Sequence, residues 1–387
     1  MRTDPYLDTS QPPASDRPIN LALQGGGSHG AFTWGVLDKL LEDGRLSVEG
    51  ISGTSAGAMN AVAMAHGLAY AAGKDSAAMR ESARESLKVF WEGVIDLGAV
   101  TASISQAQRG PLDLLFGGFG APPGAPSASQ RMTEAMTTFW SKTVSPYQSN
   151  PLDINPLKKL LEKLIDFERL AAFKPVKVFV VATAVSTGKA EVFYGKRLTA
   201  KAVMASACLP TVFQAVEIEG EHYWDGGYAG NPAIHPLIYQ CVSRDIVLVQ
   251  INPLKRAKLP TSAGDIMDRL NEITFNAALI AEMRAIDFVK RLLAEGKLDP
   301  ARYKDVLMHR IDGGEVLDGY SASSKSATDA KLIHELHDLG RTCAAQWLQK
   351  KSVQVGSSSS IQITQDYLDD LRVPVAAHRH ISDPQSE

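Results

Sequence analysis

Ile19-Asn20-Leu21-Ala22-Leu23-Gln24-Gly25-Gly26-Gly27-Ser28-His29-Gly30 is the stretch on which the reading of this chain turns. An apolar run of strand length meets three consecutive glycines. Phe32, Val36, Leu37, Leu40 and Leu41 then fall on one helical face until Gly44 stops them. A second unit repeats the pattern. Val48 to Ser52 reads as a strand, Gly53-Thr54-Ser55-Ala56-Gly57 as a tight turn, and the Ala- and Met-rich text beyond as a helix. Two β-turn-α units in succession predict an α/β domain with a mostly parallel sheet between helical layers.

Outward from these units, a continuous apolar strand is expected at Val176 to Val185, suited to a sheet covered on both faces. Further strands are expected at Glu191 to Tyr194, Ile246 to Ile251 and Val306 to Ile311, with a short one ending at Tyr223 and Trp224. Helices are expected from Lys74 to about Trp91, at about 199–207, 233–241, 264–295 and 325–350, and from Pro156 to about Arg169 behind an Asn155 cap. In that last helix Leu157, Leu160, Leu161, Leu164 and Ile165 oppose Lys158, Lys159 and Lys163, the pattern of a surface helix on a globular domain.

The domain plan has four parts. A Pro/Asp/Ser leader, 1–17, is expected to be disordered. The main domain covers 18–240, with an irregular lid or insertion at about 96–151 where glycines and prolines crowd together. An α/β continuation at 241–351 packs on the same domain, and 352–387 is a flexible tail.

Composition narrows the function classes. The 387 residues carry 40 basic and 43 acidic side chains, a net charge of −3, so binding to nucleic acid through bulk positive charge is not expected. Cys208, Cys241 and Cys343 are odd in number and widely spaced, which fits neither a disulfide framework nor a zinc site. With no secretory signal at the start of the sequence, the expected location is cytoplasmic. Ile51 to Gly73 lacks Asp, Glu, Lys and Arg for 23 residues, yet its Ser, Thr, Asn, His and Gly content predicts burial in protein rather than in a bilayer.

Three motifs carry chemistry. Gly53-Thr54-Ser55-Ala56-Gly57 fits GxSxG, in which a tight strand-to-helix turn projects a serine hydroxyl at the positive end of the following helix. The glycine loop Gly25-Gly26-Gly27-Ser28-His29-Gly30 admits three readings: a dinucleotide pyrophosphate site, an oxyanion hole, or a plain turn. A dinucleotide site wants an acid at the end of the second strand, where this chain has Ser52 and Gly53. Asp225, in Trp224-Asp225-Gly226-Gly227, is either a buried base with a raised pKa or the start of an Asp-Gly hairpin turn. Nine histidines are present, none in a signature context for a triad.

In that order, GGGSHG, GTSAG and DGG resemble the patatin-like phospholipase family, over roughly residues 18–240. Ala207-Cys208-Leu209-Pro210 with Phe213, and Asn231-Pro232, add to the resemblance. It implies a three-layer helix/sheet/helix fold and a serine lipid acyl hydrolase with a Ser-Asp dyad. Ser55 would be the nucleophile at an elbow flanked by Gly53 and Gly57, and Asp225, followed by Gly226 and Gly227, its base. The amides of Gly25, Gly26 and Gly27, in the loop closed by His29 and Gly30, would form the oxyanion hole. The family usually has Arg or Lys where this chain has His29, which would act as a neutral donor or simply pack. Phospholipids or neutral glycerides are the implied substrates, with peripheral membrane contact and no metal or cofactor. Pro111 to Phe119, apolar and glycine-hinged, is either a lipid-facing patch or ordinary core. The competing functions are an α/β-hydrolase using His309 or His334, and a non-catalytic or gated lipid-binding module.

Overall fold

The computed structural model describes residues 17–116, 145–256 and 259–368, apart from 152, 154, 321–323 and 326, and for 100–116 gives the helix without its side chains. The opening stretch forms β1 (Arg17–Leu23) and α1 (Gly30–Asp43), and the second unit forms β2 (Leu46–Thr54) and α2 (Ala56–Tyr70). Then come α3 (Ser76–Phe116), α4 (Pro146–Ser149), α5 (Pro156–Leu164), α6 (Phe167–Ala172), β3 (Lys177–Ala184) and β4 (Ala190–Phe193). Next are α7 (Ala200–Ser206), β5 (Val216–Ile218), β6 (Glu221–Asp225), α8 (His235–Gln240), β7 (Asp245–Gln250) and α9 (Ala263–Ala294). Strand β8 (Leu307–Asp312) and helices α10 (Gly314–Asp318), α11 (Ala330–Lys350) and α12 (Ile363–Tyr367) complete the described chain.

Strand β1 is covered on both faces, and it pairs in parallel with β2 on one edge and β7 on the other. Strand pairing links β5-β6-β3-β2-β1-β7-β8, with β4 also paired to β3; β4, β5 and β6 are the antiparallel members. One face carries α1, α2, α3 and α11 over a core that includes Phe32, Leu37, Val62, Leu87 and Phe90. The other face carries α8, α9 and α12, with Leu237, Leu279, Met283 and Tyr367 packed on Phe179 and Leu248. Helices α1 and α11 approach so closely that a Cβ on Gly35 or Gly340 would strike a carbonyl of the opposite helix, His337 or Phe32 respectively. The result is a three-layer α/β architecture around a mostly parallel sheet.

Most of the stretch without charges at 51–73 is buried, as the end of β2 and α2, and among the described residues no helix is long and apolar enough to cross a membrane. Three other expectations are corrected. The helix expected over 156–169 is two, because Asp166 interrupts it by taking the Arg169 amide onto its carboxylate as a new N-cap. The irregular insertion expected from about 96 begins as helix, with α3 continuing to Phe116. Gly98 there is a site of close packing against Thr328, not a breaker. Residues 352–368, assigned to a flexible tail, fold back: Val355, Ile361, Ile363, Tyr367 and Leu368 are buried, and the Gly356 amide donates to Asp245. Residues 1–16, 117–144 and 369–387, and with them the rest of the leader, lid and tail expectations, lie outside the described residues. The side chains of 111–119 lie outside them too.

Candidate active site

Ser55 is the first residue beyond β2 and the N-cap of α2, and its backbone has φ 53° and ψ −122°. A positive φ on a residue with a Cβ persists only where its surroundings over-determine it. Here β1, β2 and α2 converge on the turn. A Cβ on Gly53 would lie 2.5 Å from the Gly57 carbonyl, and one on Gly57 would strike the Leu23 carbonyl, so both glycines of the motif are required by close approach. The Met59 amide donates to the Ser55 carbonyl at 3.1 Å, and the Ser55 amide donates to Oγ of Ser206 at 2.9 Å.

Strand β3 brings Asp225 beside this turn. Its early residues pair with β2, ending at Val181 opposite Thr54, and the next residue, Ala182, pairs with Asp225 of β6. Ala182 also pairs with Glu191 of β4, so β4 holds one edge of β3 while β2 and β6 share the other, end to end. The tip of β2 and the tip of β6 therefore meet. The Asp225 amide donates to the Cys208 carbonyl at 2.7 Å and its carbonyl accepts from the Thr183 hydroxyl at 2.8 Å. It begins the one-turn helix Gly226–Tyr228 rather than a hairpin turn, and its Oδ1 accepts from the Gly227 amide at 2.7 Å.

Asp225 is 1% exposed, and its Oδ2 is buried without a hydrogen-bond partner among the described residues. Burial pushes this carboxyl up from 3.8 to about 7, against the opposing pull of the Gly227 amide and the Ser55 hydroxyl. Ser55 is thus near enough to favour the charged form, without closing a hydrogen bond of ordinary geometry on Oδ2. A carboxylate with an open oxygen next to a serine, ionising near neutral pH, has the position and basicity of a general base.

The glycine loop is braced from behind. Gln24, wholly buried, accepts the amides of Ile251 and Asn252 at 2.9 Å each, and the Gly25 carbonyl accepts from Nδ2 of Asn252 at 2.7 Å. The Gly25 amide donates to Oδ1 of Asn231 at 2.6 Å, so it is already committed and does not face an open site. Among the described residues the amides of Gly26 and Gly27 donate to nothing, leaving two of the three expected oxyanion donors. Gly27 has φ +57°, and a Cβ there would collide with the Lys325 carbonyl.

His29 is buried, with Nε2 at 2.7 Å from the Ser324 hydroxyl and its ring edge-on to Tyr320. Burial, then the charges of Lys325 and Arg256, push it down to about 4. It is neutral at physiological pH and supplies no fixed charge to the loop. Lys325 donates to Oδ1 of Asn252 at 2.8 Å, which places an ammonium behind the glycine loop from a part of the chain the sequence reading did not connect with it.

The histidines of the competing triad are engaged elsewhere. His309 lies wholly buried between Asp245 and Ser360, 3.0 Å from each, where it ties the 356–360 segment to β7 and β8. His334 packs near the Trp34 ring. Among the described residues no three His, Cys, Asp or Glu side chains converge as a metal site would require. The end of β2 carries no acid for a ribose.

Solved structures similar to this chain include VipD from Legionella pneumophila, 15% identical with a TM-score of 0.40, over 91% of this chain and 73% of VipD. The type III effector protein ExoU is 14% identical with a TM-score of 0.30, over 88% of this chain and 53% of ExoU. No curated protein matches the sequence. Residues 21–238, which run from β1 through the glycine loop, the Ser55 elbow and Asp225 into α8, match the family model of the patatin-like phospholipases. With more than half of its length so matched, the chain belongs to the patatin-like phospholipase family.

Proposed function

We propose that this protein is a lipid acyl hydrolase that cleaves carboxylic ester bonds through a Ser55–Asp225 dyad. The observation that carries the reading is the buried, unpartnered Oδ2 of Asp225 beside a serine held in a strained elbow. Asp225 takes the Ser55 proton as Oγ attacks the ester carbonyl, and the amides of Gly26 and Gly27 receive the oxyanion. The positive end of α2 favours the same negative charge. Collapse of the tetrahedral intermediate expels the alcohol, which takes its proton from Asp225. Water then gives a proton to Asp225 as it attacks the acyl-serine, and Asp225 returns that proton to Ser55 Oγ as the fatty acid leaves.

Family membership supports phospholipids or neutral glycerides as the substrates, met at a lipid surface. Treatment with a fluorophosphonate should label Ser55 alone among the serines, and incubation with a mixed lipid extract should release free fatty acids. A folded protein that neither labels nor releases fatty acid would overturn the proposal and leave a lipid-binding module of the same fold.

A further inference from the structure

We infer that Ser206 is a positioning residue for the nucleophile: its hydroxyl fixes the backbone of Ser55 and, through the turn that follows α7, sets the spacing between Ser55 and Asp225. The inference rests on the dyad proposed above. Among the described residues the Ser206 hydroxyl is the one side chain that bonds to the Ser55 backbone, at 2.9 Å from the amide nitrogen. Ser206 is wholly buried, so water does not compete for that contact. Ser55 sits at φ 53° and ψ −122°, a conformation that a residue with a Cβ keeps only under constraint. Relaxation of that backbone would swing Oγ away from the carboxylate.

The same turn holds the other half of the dyad. Two residues beyond Ser206, the Cys208 carbonyl accepts the Asp225 amide at 2.7 Å. The turn itself is tied internally, since the Cys208 amide donates to the Ala205 carbonyl and the Ala207 amide to that of Met204. Helix α7 is anchored at its other end by Thr199, whose hydroxyl accepts the Ala202 amide. A single short element, Ser206 to Cys208, thus grips the backbone of the nucleophile through a side chain and that of the base through a carbonyl. The β3 register brings the two strand tips together, and this turn fixes the distance between them.

Ser206→Ala removes the acceptor and leaves the Ser55 amide unpaired; a misplacement of the nucleophile by an ångström is worth about 100-fold in rate. The test compares Ser206→Ala, Ser206→Cys and Ser206→Thr with the parent protein on a soluble short-chain ester, together with fluorophosphonate labelling rates and thermal midpoints. Alanine and cysteine, the latter of similar volume but a far weaker acceptor, should each lower kcat and the labelling rate about 10- to 100-fold with KM nearly unchanged. Threonine, which keeps the hydroxyl, should restore most of the loss. If the alanine variant folds poorly, the cysteine variant decides. Labelling and kcat within about threefold of the parent in the folded alanine or cysteine variant would overturn the inference, as would equal losses in all three variants. An inactive, unlabelled parent would instead sink the dyad itself.

Discussion

Asp225→Asn should abolish ester hydrolysis while making the protein more stable at alkaline pH, a combination that follows from one buried carboxyl. In the folded state burial holds this group at about 7, against 3.8 in the unfolded chain. The folded state therefore favours the protonated form. The stabilisation that protonation gives is complete below pH 4 and is lost as pH rises through 7. By pH 8 the loss amounts to roughly 4 kcal/mol, at about 1.4 kcal/mol per pH unit between the two values. An amide does not titrate, but it places a buried N–H where Oδ2 now stands, at about 1–3 kcal/mol if unpaired. The variant should thus gain about 1–3 kcal/mol over the parent at pH 8. That advantage should shrink by about 2.5 kcal/mol at pH 5, since most of the parent's loss occurs between these values. Urea unfolding followed by tryptophan fluorescence at both pH values measures the difference directly. In parallel, kcat/KM of the parent should climb with pH through about 7 and level off above about 8 as the base ionises, while the variant lies about 10^2–10^4-fold below that plateau and shows no such rise. A stability gap that is the same at pH 5 and pH 8 would refute the argument that Asp225 is a buried, displaced carboxyl.

Ser55→Gly should be inactive yet about 1 kcal/mol more stable in urea, because glycine adopts the positive φ without strain; a less stable variant would show that Ser55 is not strained. Gly26→Pro removes one of the two uncommitted loop amides and should lower turnover by at least about 100-fold, and retention of activity on a short-chain ester would assign the oxyanion to other donors. His309→Ala should lose about 3 kcal/mol of stability, since it strips Asp245 and Ser360 of their buried partner, while activity per folded molecule stays at the parent level. A fully folded, inactive His309→Ala would revive the triad.

The sequence made the middle of the sheet legible because β1, β3 and β7 are covered on both faces and read as largely apolar runs bounded by glycine or polar turns. The two glycine-rich loops of the candidate site were legible for a related reason: Gly53, Gly57 and Gly27 are forced by close backbone approach, and such constraints leave glycines at fixed spacing. Strand β5, Val216–Ile218, is too short at three residues for its alternation of apolar and polar side chains to stand out. The break at Asp166 is hidden because aspartate occurs in helices and at caps alike. Residues 352–368 contain a serine run, 357–360, that suggests a linker, although the apolar residues after it are buried with those of α8 and α9. The residues behind the site were least visible. Gln24, Ser206, Asn252 and Lys325 act through contacts that join distant parts of the chain, and a single polar residue in an otherwise apolar segment leaves no periodic signal. The commitment of the Gly25 amide to Asn231 follows from a side chain 206 positions away and could not be inferred from the loop.

The position of β1 between β2 and β7 bears on how the protein comes off the ribosome. Residues 20–23 take one neighbour from residues 50–53 and the other from 246–249, and α1 packs against α11, some 300 residues later. Strand β1, made early, thus emerges with one edge unpaired, and α1 with a large apolar face bare. Both must wait for more than 200 further residues, over ten seconds of synthesis at about 5–20 residues per second. Such long-range pairing makes for slow folding and for a nascent chain whose open edge invites pairing with other chains. Truncation after residue 240 would make that transient state permanent, so the matched segment expressed alone should aggregate, and its yield should depend on chaperones far more than that of the full chain.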